Sequence, residues 1–195
     1  MPYYLEHLRD MQKNGETVVS APVLAQHFKY TEIQVRKDLA SVSSVPGKPK
    51  IGFKIATLIV DIENVLGYKR LNKAVLVGCG ALGSAFLKFK GFSEYGCEIA
   101  AGFDANTEKL GSFADVPVLP MEELSEFCKN ENIKLGIITV PAIAGQRVCD
   151  QLVEAGIKAI WNFAPIHLIV PEGILVQNEN MPASLAMLFN HLNSR

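Results

Sequence analysis

A glycine pattern that directly follows an apolar run constrains the fold of this 195-residue chain more than any other feature. Residues 74–77 are apolar, and Gly78-x-Gly80-x-x-Gly83 comes next. Residues 81–90 then show the periodicity of a helix. A strand, a glycine-rich turn and a helix in this order are typical of the first βα unit of a Rossmann fold, whose helix N-terminus attracts a pyrophosphate. The sequence therefore predicts a dinucleotide-binding loop at this turn.

The three glycines of this loop have different expected roles. Gly78 permits the tight turn, Gly80 lets backbone amides approach a pyrophosphate, and Gly83 allows the helix to pack close to the strand. The candidate cofactor-binding loop consists of Gly78, Cys79, Gly80, Ala81, Leu82 and Gly83. The alternative is an empty Rossmann-like fold whose glycines serve only the turn.

An acidic residue at the end of the next strand completes the pattern. Asp104 follows the largely apolar run 97–103 and lies 21 positions after Gly83. An acid at about this spacing hydrogen-bonds the ribose 2′-hydroxyl of a dinucleotide and repels a 2′-phosphate. Asp104 therefore favours NADH or NAD+ as the ligand over NADPH or NADP+.

The chain after residue 73 alternates apolar runs of strand length with helical segments. Continuous apolar strands between helices are typical of a parallel sheet that is covered on both faces. The expected fold class of this part is therefore α/β, a Rossmann-like doubly wound parallel sheet.

Two later strand ends are expected to line the same crevice, because such sheets bind ligands beyond the carboxyl ends of their strands. Their residues are Thr139, Val140 and Pro141 at one end, and Asn162 and Phe163 at the other. We expect Thr139 and Asn162 to hydrogen-bond the nicotinamide ribose or carboxamide, and Phe163 to pack on the ring. Ordinary roles as turn residues and core aromatics are the alternative.

The first 70 residues have a different organisation. Residues 21–41 predict a helix, a short turn and a second helix, which is the helix-turn-helix outline. Thr31 and Gln34 form a capping-box pattern at the start of the second of these helices. The following loop is rich in Pro, Gly and Lys, which favours a basic hairpin. Together these segments predict an N-terminal winged-helix domain.

The second of these helices divides into an apolar and a polar face. Its polar side and the basic loop supply the candidate DNA-binding residues, which are Gln34, Arg36, Lys37, Ser41, Lys48 and Lys50. We expect Gln34 and Lys37 to reach base edges, and Arg36, Lys48 and Lys50 to contact phosphates or the minor groove. The alternative is an ordinary solvated helix face.

Charge separates the two halves of the chain, although the formal net charge is only -1. Residues 1–70 carry ten Lys and Arg against seven Asp and Glu, and residues 71–195 carry nine against thirteen. A basic module joined to an acidic one fits a DNA-binding domain followed by a domain that binds an anionic ligand through backbone amides.

Several classes of protein are disfavoured by what the sequence lacks. The four cysteines form no C-x-x-C pair, so we expect no metal site and no disulfide framework. No signal peptide and no apolar run long enough for a bilayer is evident, so we expect a cytoplasmic protein without membrane contact. An enzyme that transfers hydride needs a proton donor, and only His167 follows a strand end.

The last helix predicts self-association. It begins near Pro182 and has a broad apolar side that includes Leu185, Leu188, Phe189 and Leu192. A second subunit is the expected partner, because helix-turn-helix proteins are usually two-fold symmetric. The expected domains are a winged helix over residues 1–70, an NAD(H)-binding domain over 71–180 and a dimerisation helix over 181–195.

The motifs together resemble the Rex family of bacterial redox-sensing repressors. The segments that carry the resemblance are QVRKDLASV, GKPKIGF, VLVGCGALGSAF, AGFD, ITVPA, LVEAGIKAIWNFAP and LIVPEGILVQN. The family usually has Lys-Arg-Gly-Val-Gly-Tyr in the wing and Asp-Leu before the last helix, where this chain has Pro49, Phe53 and Asn180-Met181.

The resemblance implies a homodimer that binds double-stranded operator DNA when NADH is low and leaves it when NADH rises. It also implies a C-terminal helix exchanged between subunits, and no enzymatic activity. The residues alone leave two alternatives open. One is a small NAD-dependent oxidoreductase or CoA-binding enzyme with an extra helical domain, and the other is a regulator whose Rossmann domain serves only dimerisation.

Overall fold

A computed structural model describes residues 1–48, 51–68 and 71–193. The chain forms two compact units, Met1–Arg70 and Leu71–Arg195. Each unit has its own buried apolar core.

The described part of the N-terminal unit, residues 1–48 and 51–68, forms four helices and a two-stranded sheet. Its elements are α1 (Pro2–Lys13), β1 (Val18–Val19), α2 (Ala21–Phe28), α3 (Glu32–Val42), β2 (Phe53–Lys54) and α4 (Ile55–Leu66). β1 pairs antiparallel with β2, which connects the segment before the helix-turn-helix to the strand that closes the basic loop. This arrangement is a winged helix.

The core of this unit forms where the apolar stripes of its helices meet. Leu8, Leu24, Leu39 and Ile62 come from four different helices and are fully buried. A buried acid fastens the loop after α3 to α4, because Asp61 Oδ2 accepts hydrogen bonds from the backbone N–H and the hydroxyl of Ser44, both at 2.8 Å. Packing and this polar tie together fix the start of the wing.

The C-terminal unit is built around a seven-stranded sheet. Its strands are β3 (Asn72–Val77), β4 (Cys97–Asp104), β5 (Gly111–Phe113), β6 (Val116–Pro120), β7 (Leu135–Ile138), β8 (Ala159–Asn162) and β9 (Leu175–Asn178). Its helices are α5 (Ala81–Lys88), α6 (Leu124–Asn130), α7 (Ala142–Glu154) and α8 (Met181–Asn193). Short 3₁₀ segments cover Lys90–Tyr95, Thr107–Lys109 and Met121–Glu123.

The strand order is β5-β6-β4-β3-β7-β8-β9, and every neighbouring pair is parallel except β5 with β6. The chain moves from β3 to β4 on one side and later returns to place β7 on the other. The order of strands therefore reverses beside β3, and the carboxyl end of β3 is the topological switch point at which doubly wound sheets bind ligands.

The sequence pattern indicated β6 as an apolar run of strand length, but it did not reveal β5 or the antiparallel hairpin that the two strands form. Its loop has two residues, Ala114 and Asp115, with φ of 52° and 70°. Two-residue loops with positive φ are usually marked by Asn-Gly or Asp-Gly. The Ala-Asp pair does not contain glycine or asparagine, so the sequence did not predict this hairpin.

The last helix, α8, has no buried residue. Its large apolar side chains, Met181, Leu185, Met187, Leu188, Phe189 and Leu192, are between 53% and 69% exposed. In the part of the chain that the structure describes, no helix combines the length and apolar character needed to span a membrane.

Candidate dinucleotide cleft and DNA-binding surface

The glycine loop turns sharply between β3 and α5. Gly78 has a φ of 101°, a conformation that favours glycine, and a Cβ there would lie 2.7 Å from Cγ1 of Val140. A Cβ on Gly83 would overlap the carbonyl oxygen of Gly78. These two glycines therefore let the turn and the first turn of α5 pack against each other and against the end of β7.

Gly80 differs from its two neighbours in the motif. It is the N-cap of α5 and has a φ of -69°, which any residue can adopt. A Cβ there would meet only the ammonium of Lys109, at 3.9 Å. The backbone at Gly80 thus faces open space at a helix N-terminus, which is the arrangement that a diphosphate requires.

Asp104, the predicted ribose-binding acid, lies beside this loop. Its Oδ2 accepts a hydrogen bond of 2.7 Å from the backbone N–H of Cys79, and its Oδ1 accepts one of 2.8 Å from the N–H of Asn106. Lys109 Nζ lies 3.8 Å from Oδ2. The carboxylate is therefore fixed against the glycine loop and retains further acceptor capacity for a hydroxyl group.

A cleft of about 300 Å³ opens at the switch point. It is lined by Val77, Gly78, Gly80, Asp104, Ala105, Lys109, Met121, Thr139, Val140, Pro141, Ala144, Arg147 and Val148. The structure thus brings together the glycine loop, the acid and the end of β7, as the sequence indicated. The sequence did not predict Lys109 and Arg147 as site residues. Lys109 lies in a 3₁₀ turn and Arg147 lies on a helix, and a single cation in either element belongs to no recognisable motif.

Thr139 contributes a structural bond to this cleft. Its hydroxyl donates to the carbonyl oxygen of Gly78 at 2.7 Å and lies 3.2 Å from that of Val77. This bond ties the end of β7 to the glycine loop. Val140 and Pro141 complete the wall on that side.

Asn162 and Phe163 lie outside the residues that line the cleft. Asn162 is buried, and its amide nitrogen donates to Oδ1 of Asn178 at 2.8 Å and to the carbonyl oxygen of Ile166 at 3.0 Å. Its Oδ1 accepts from the N–H of Ala164 at 3.0 Å. Phe163 packs against other aromatic rings. In this arrangement, both side chains stabilise the end of β8.

The thiols and His167 show no sign of reactive chemistry. Burial raises the pKa of Cys79 to about 11, and burial likewise raises the pKa of Cys128 to about 11. Such thiols stay protonated at neutral pH and are poor nucleophiles. His167 is exposed and does not line the cleft. Within residues 1–48, 51–68 and 71–193, no cluster of His, Cys, Asp or Glu has a geometry that would hold a metal ion.

Two basic residues contribute to the lining of a second cleft, in the N-terminal unit. Arg36 of α3, Lys48 of the wing and residues 20–22 at the start of α2 line a space of about 500 Å³. Lys37 and Ser41 are exposed on α3, and the Ser41 hydroxyl donates to the carbonyl oxygen of Asp38 at 2.7 Å. Lys50 lies outside the described residues.

Gln34 makes different contacts from those that a full capping box would give. Thr31 Oγ1 accepts a hydrogen bond from the backbone N–H of Gln34 at 3.2 Å, as expected. The Gln34 side chain does not return to the helix start; its amide nitrogen donates to Oδ1 of Asp38 at 2.7 Å. The carboxylate one turn along offers a stronger, charge-assisted bond. Elsewhere on α3, the guanidinium of Arg36 forms an ion pair with Glu32, with 3.4 Å between Nη2 and Oε2.

Two family models match the chain. Residues 1–40 match the family described as "Putative DNA-binding protein N-terminus", and residues 69–166 match the "CoA binding domain" family. The redox-sensing transcriptional repressor Rex of Porphyromonas gingivalis is 38% identical over 195 residues, which cover all of this chain and 89% of the relative. The Rex protein of Treponema denticola is 37% identical and is covered to 93%.

Solved structures agree with these relatives. The structure of RSP in complex with beta-NAD+ and operator DNA matches 99% of this chain and 89% of its own, with a TM-score of 0.93 and 31% identity. The structure of RSP, a Rex-family repressor, in complex with beta-NADH matches 99% of this chain with a TM-score of 0.87 and 30% identity. The chain therefore belongs to the Rex family of redox-sensing transcriptional repressors.

Proposed function

We propose that this chain represses transcription by binding operator DNA and that a rise in the ratio of NADH to NAD+ releases it. The observation that carries the proposal is one chain with two sites. A winged helix presents a basic surface, and a separate Rossmann-like unit brings a glycine loop and an acid together at its switch point.

The residues of the cleft fit a nicotinamide dinucleotide. The open backbone at Gly80 and the N-terminus of α5 accept the diphosphate, and Lys109 and Arg147 add positive charge beside it. Asp104 accepts a hydrogen bond from the adenosine ribose and disfavours a 2′-phosphate. The loop residues Cys79, Ala81, Leu82 and Gly83 complete this half of the site.

The nicotinamide half lies toward Thr139, Val140 and Pro141. Asn162 and Phe163 belong to the proposed site as supports of the neighbouring strand end, since their side chains are engaged within the fold. The bound dinucleotide acts as a signal in this proposal. Hydride transfer would need a proton donor beside the nicotinamide, whereas Lys109 of the cleft lies beside Asp104 and the glycine loop, in the diphosphate half. We therefore propose a regulator without enzymatic activity, which acts in the cytoplasm.

The DNA contacts divide into two classes. Gln34, Lys37 and Ser41 lie on the exposed face of α3, which suits base edges in the major groove. Arg36, Lys48 and Lys50 supply charge for phosphates. Two such surfaces are needed to match a palindromic operator, and the exposed apolar side of α8 supplies the means of forming a homodimer, by exchange of α8 between subunits.

Release by NADH requires a difference in affinity between two states. A ligand that binds both states equally shifts neither population, so NADH must bind the DNA-free state more tightly than the DNA-bound state. NAD+ must lack that preference.

A mobility-shift titration tests the proposal. Purified protein on a palindromic operator is exposed to a series of NADH to NAD+ ratios at constant total dinucleotide, with NADPH and coenzyme A as comparison ligands. We expect release to follow the NADH fraction. Equal release by NADH and NAD+ would rule out redox sensing, and release by coenzyme A alone would favour the CoA-binding alternative.

A further inference from the structure

We infer that Tyr4 and Asp38 set the base preference of the recognition helix by fixing the side-chain amide of Gln34 in the orientation that reads an adenine edge. This inference rests on the proposed DNA binding and adds a residue of α1, outside the recognition helix, to the determinants of operator sequence. Neither Tyr4 nor Asp38 is among the predicted DNA-contacting residues.

Three side chains from two helices form a continuous hydrogen-bonded chain. The Tyr4 hydroxyl donates to Asp38 Oδ2 at 2.9 Å, and Gln34 Nε2 donates to Asp38 Oδ1 at 2.7 Å. Each carboxylate oxygen thus receives one donor. Asp38 is half-buried, whereas Gln34 is exposed on the face of α3 that points away from the core.

The tyrosine end of this hydrogen-bonded series of side chains is rigid. Tyr4 is only 4% exposed, and its ring packs edge-on against Phe28 with centroids 5.0 Å apart. Burial and the bond to Asp38 raise the pKa of Tyr4, so its hydroxyl remains a donor at any physiological pH. A fixed donor at this position holds the Asp38 carboxylate in one rotamer.

The carboxylate then selects one of the two flipped orientations of the Gln34 amide. An ionised carboxylate only accepts hydrogen bonds, so the amide nitrogen must face it. The amide oxygen and the second N–H of Gln34 are left to point elsewhere. Adenine presents an N6 donor beside an N7 acceptor in the major groove, and a glutamine amide pairs with both at once. The fixed orientation therefore favours an A·T pair over the other three pairs.

Loss of the tyrosine hydroxyl would free both partners. Asp38 Oδ2 could then rotate toward the groove, where a carboxylate accepts from the N4 donor of cytosine, and Gln34 would sample both amide orientations. The consequence is a relaxed preference at one base pair of each half-site, while phosphate contacts, which depend on Arg36 and Lys48, are unchanged.

The test compares base preferences across variants of the full chain. Operator duplexes are changed one base pair at a time in both half-sites, and affinities are measured for the wild type, Gln34→Ala, Tyr4→Phe and Asp38→Asn. Tyr3→Phe is the matched control, because it removes the same hydroxyl from the adjacent, 73% exposed tyrosine. Affinity for random DNA and its salt dependence are measured in parallel.

We expect Gln34→Ala to abolish a preference for A·T of about 5- to 150-fold at one position of the half-site. Tyr4→Phe and Asp38→Asn should reduce that preference at the same position to about twofold. Tyr4→Phe should leave random-DNA affinity and its salt slope unchanged, because it changes no charge. Tyr3→Phe should keep the wild-type preference. A bond that only held α1 to α3 would lower the unfolding temperature and leave the base preferences intact.

Two results would overturn the inference while leaving the proposed function in place. One is full A·T preference at that position in both Tyr4→Phe and Asp38→Asn. The other is a Gln34→Ala variant whose preferences match the wild type at every position. Using two variants keeps the test decisive if one of them folds poorly. If the wild type does not discriminate an operator from random DNA, the proposed function itself fails.

Discussion

At the scale of single residues, the glycines of the motif separate into those that the fold needs and one that the ligand needs. Gly78 and Gly83 sit where a Cβ would strike neighbouring atoms, and Gly80 sits in open space with an ordinary backbone conformation. Glycine is therefore required in this motif for two different physical reasons, and alanine substitutions distinguish them.

Gly80→Ala is expected to leave the fold intact and to weaken dinucleotide binding. The added Cβ meets only the mobile end of Lys109, at 3.9 Å, yet it occupies the space through which a diphosphate approaches the backbone. We expect the dissociation constant for NADH, measured by calorimetry, to rise at least about tenfold, equivalent to roughly 1.4 kcal/mol. Unchanged NADH affinity would show that the diphosphate does not lie there.

Gly83→Ala is expected to behave in the opposite way. Its Cβ would overlap a backbone carbonyl oxygen, which cannot rotate away as a side chain can, so α5 would have to shift from β3. Overpacking of this kind costs about 1–3 kcal/mol or more. Chemical denaturation should show that loss in the Rossmann-like unit, and a variant as stable as the wild type would contradict the close packing.

Lys109→Met tests the cation that the sequence did not predict. The ammonium lies near both Asp104 and Gly80, so it is placed to attract the diphosphate of the ligand. We expect NADH and ADP to bind about tenfold or more weakly, since a bond to a charged group contributes roughly 1.5–3 kcal/mol, and adenosine to bind as before. Lys129→Met, at an exposed site on α6, is the control. An equal loss for adenosine would indicate a structural role instead.

At the scale of elements, periodicity in the sequence predicted most of the helices and strands, because each buries a continuous apolar face. The hairpin β5–β6 was missed, since its turn uses Ala-Asp. The positions of Thr139, Val140 and Pro141 followed from a rule about strand ends. The bonds of Asn162 could not be foreseen, because they join three chain segments that become neighbours only after folding.

The contact between α1 and α2 is expected to make the winged helix sensitive to acid. His7 and His27 stack with ring centroids 3.6 Å apart, and burial, followed by the neighbouring His27, lowers the pKa of His7. The folded state therefore disfavours the charged ring. Stability is fully present above the unfolded pKa of about 6.5 and falls as the pH drops below it.

Thermal unfolding of the winged helix should therefore occur at a lower temperature at pH 5.5 than at pH 7.5. His7→Gln should show a shallower dependence over the same window, because its side chain does not titrate. His27→Gln should raise the pKa of His7, as followed by NMR titration. A His7 resonance that titrates at its usual pKa in the wild type would contradict this prediction.

The exposed helix α8 is expected to control the oligomeric state. Leu188 is 62% exposed on a helix without any buried residue, so a charge there disturbs a subunit contact and little else. Leu188→Asp should shift the protein toward monomer in sedimentation velocity and weaken operator binding. Asn193→Asp adds the same charge at a polar position of α8 and should remain dimeric. A dimeric Leu188→Asp would exclude this face as the contact.

At the scale of the whole molecule, two separate cores predict two unfolding events. NADH binds only one unit in the proposed function, so only one event should respond to it. At a free concentration 100-fold above the dissociation constant, the ligand adds about 2.7 kcal/mol to the stability of that unit. Differential scanning calorimetry should show one transition rising with NADH and the other fixed. Gly80→Ala should reduce the rise at the same NADH concentration, to about 1.4 kcal/mol of stabilisation if its dissociation constant is tenfold larger. A single transition that moves as a whole would contradict independent cores.

The position of β3 at the centre of its sheet has a consequence for synthesis on the ribosome. The first strand of the unit to emerge receives β4 from one side and β7 from the other, and the far edge is added only when β9 ends at Asn178. The winged helix is complete once α4 ends at Leu66, and domains fold as units while the rest of a chain is being made. The winged helix of each new molecule is therefore able to fold before the unit that binds NADH is complete. A chain cut short between these points would keep one DNA-binding surface but would lack both the finished dinucleotide site and α8, the helix proposed to pair two such surfaces.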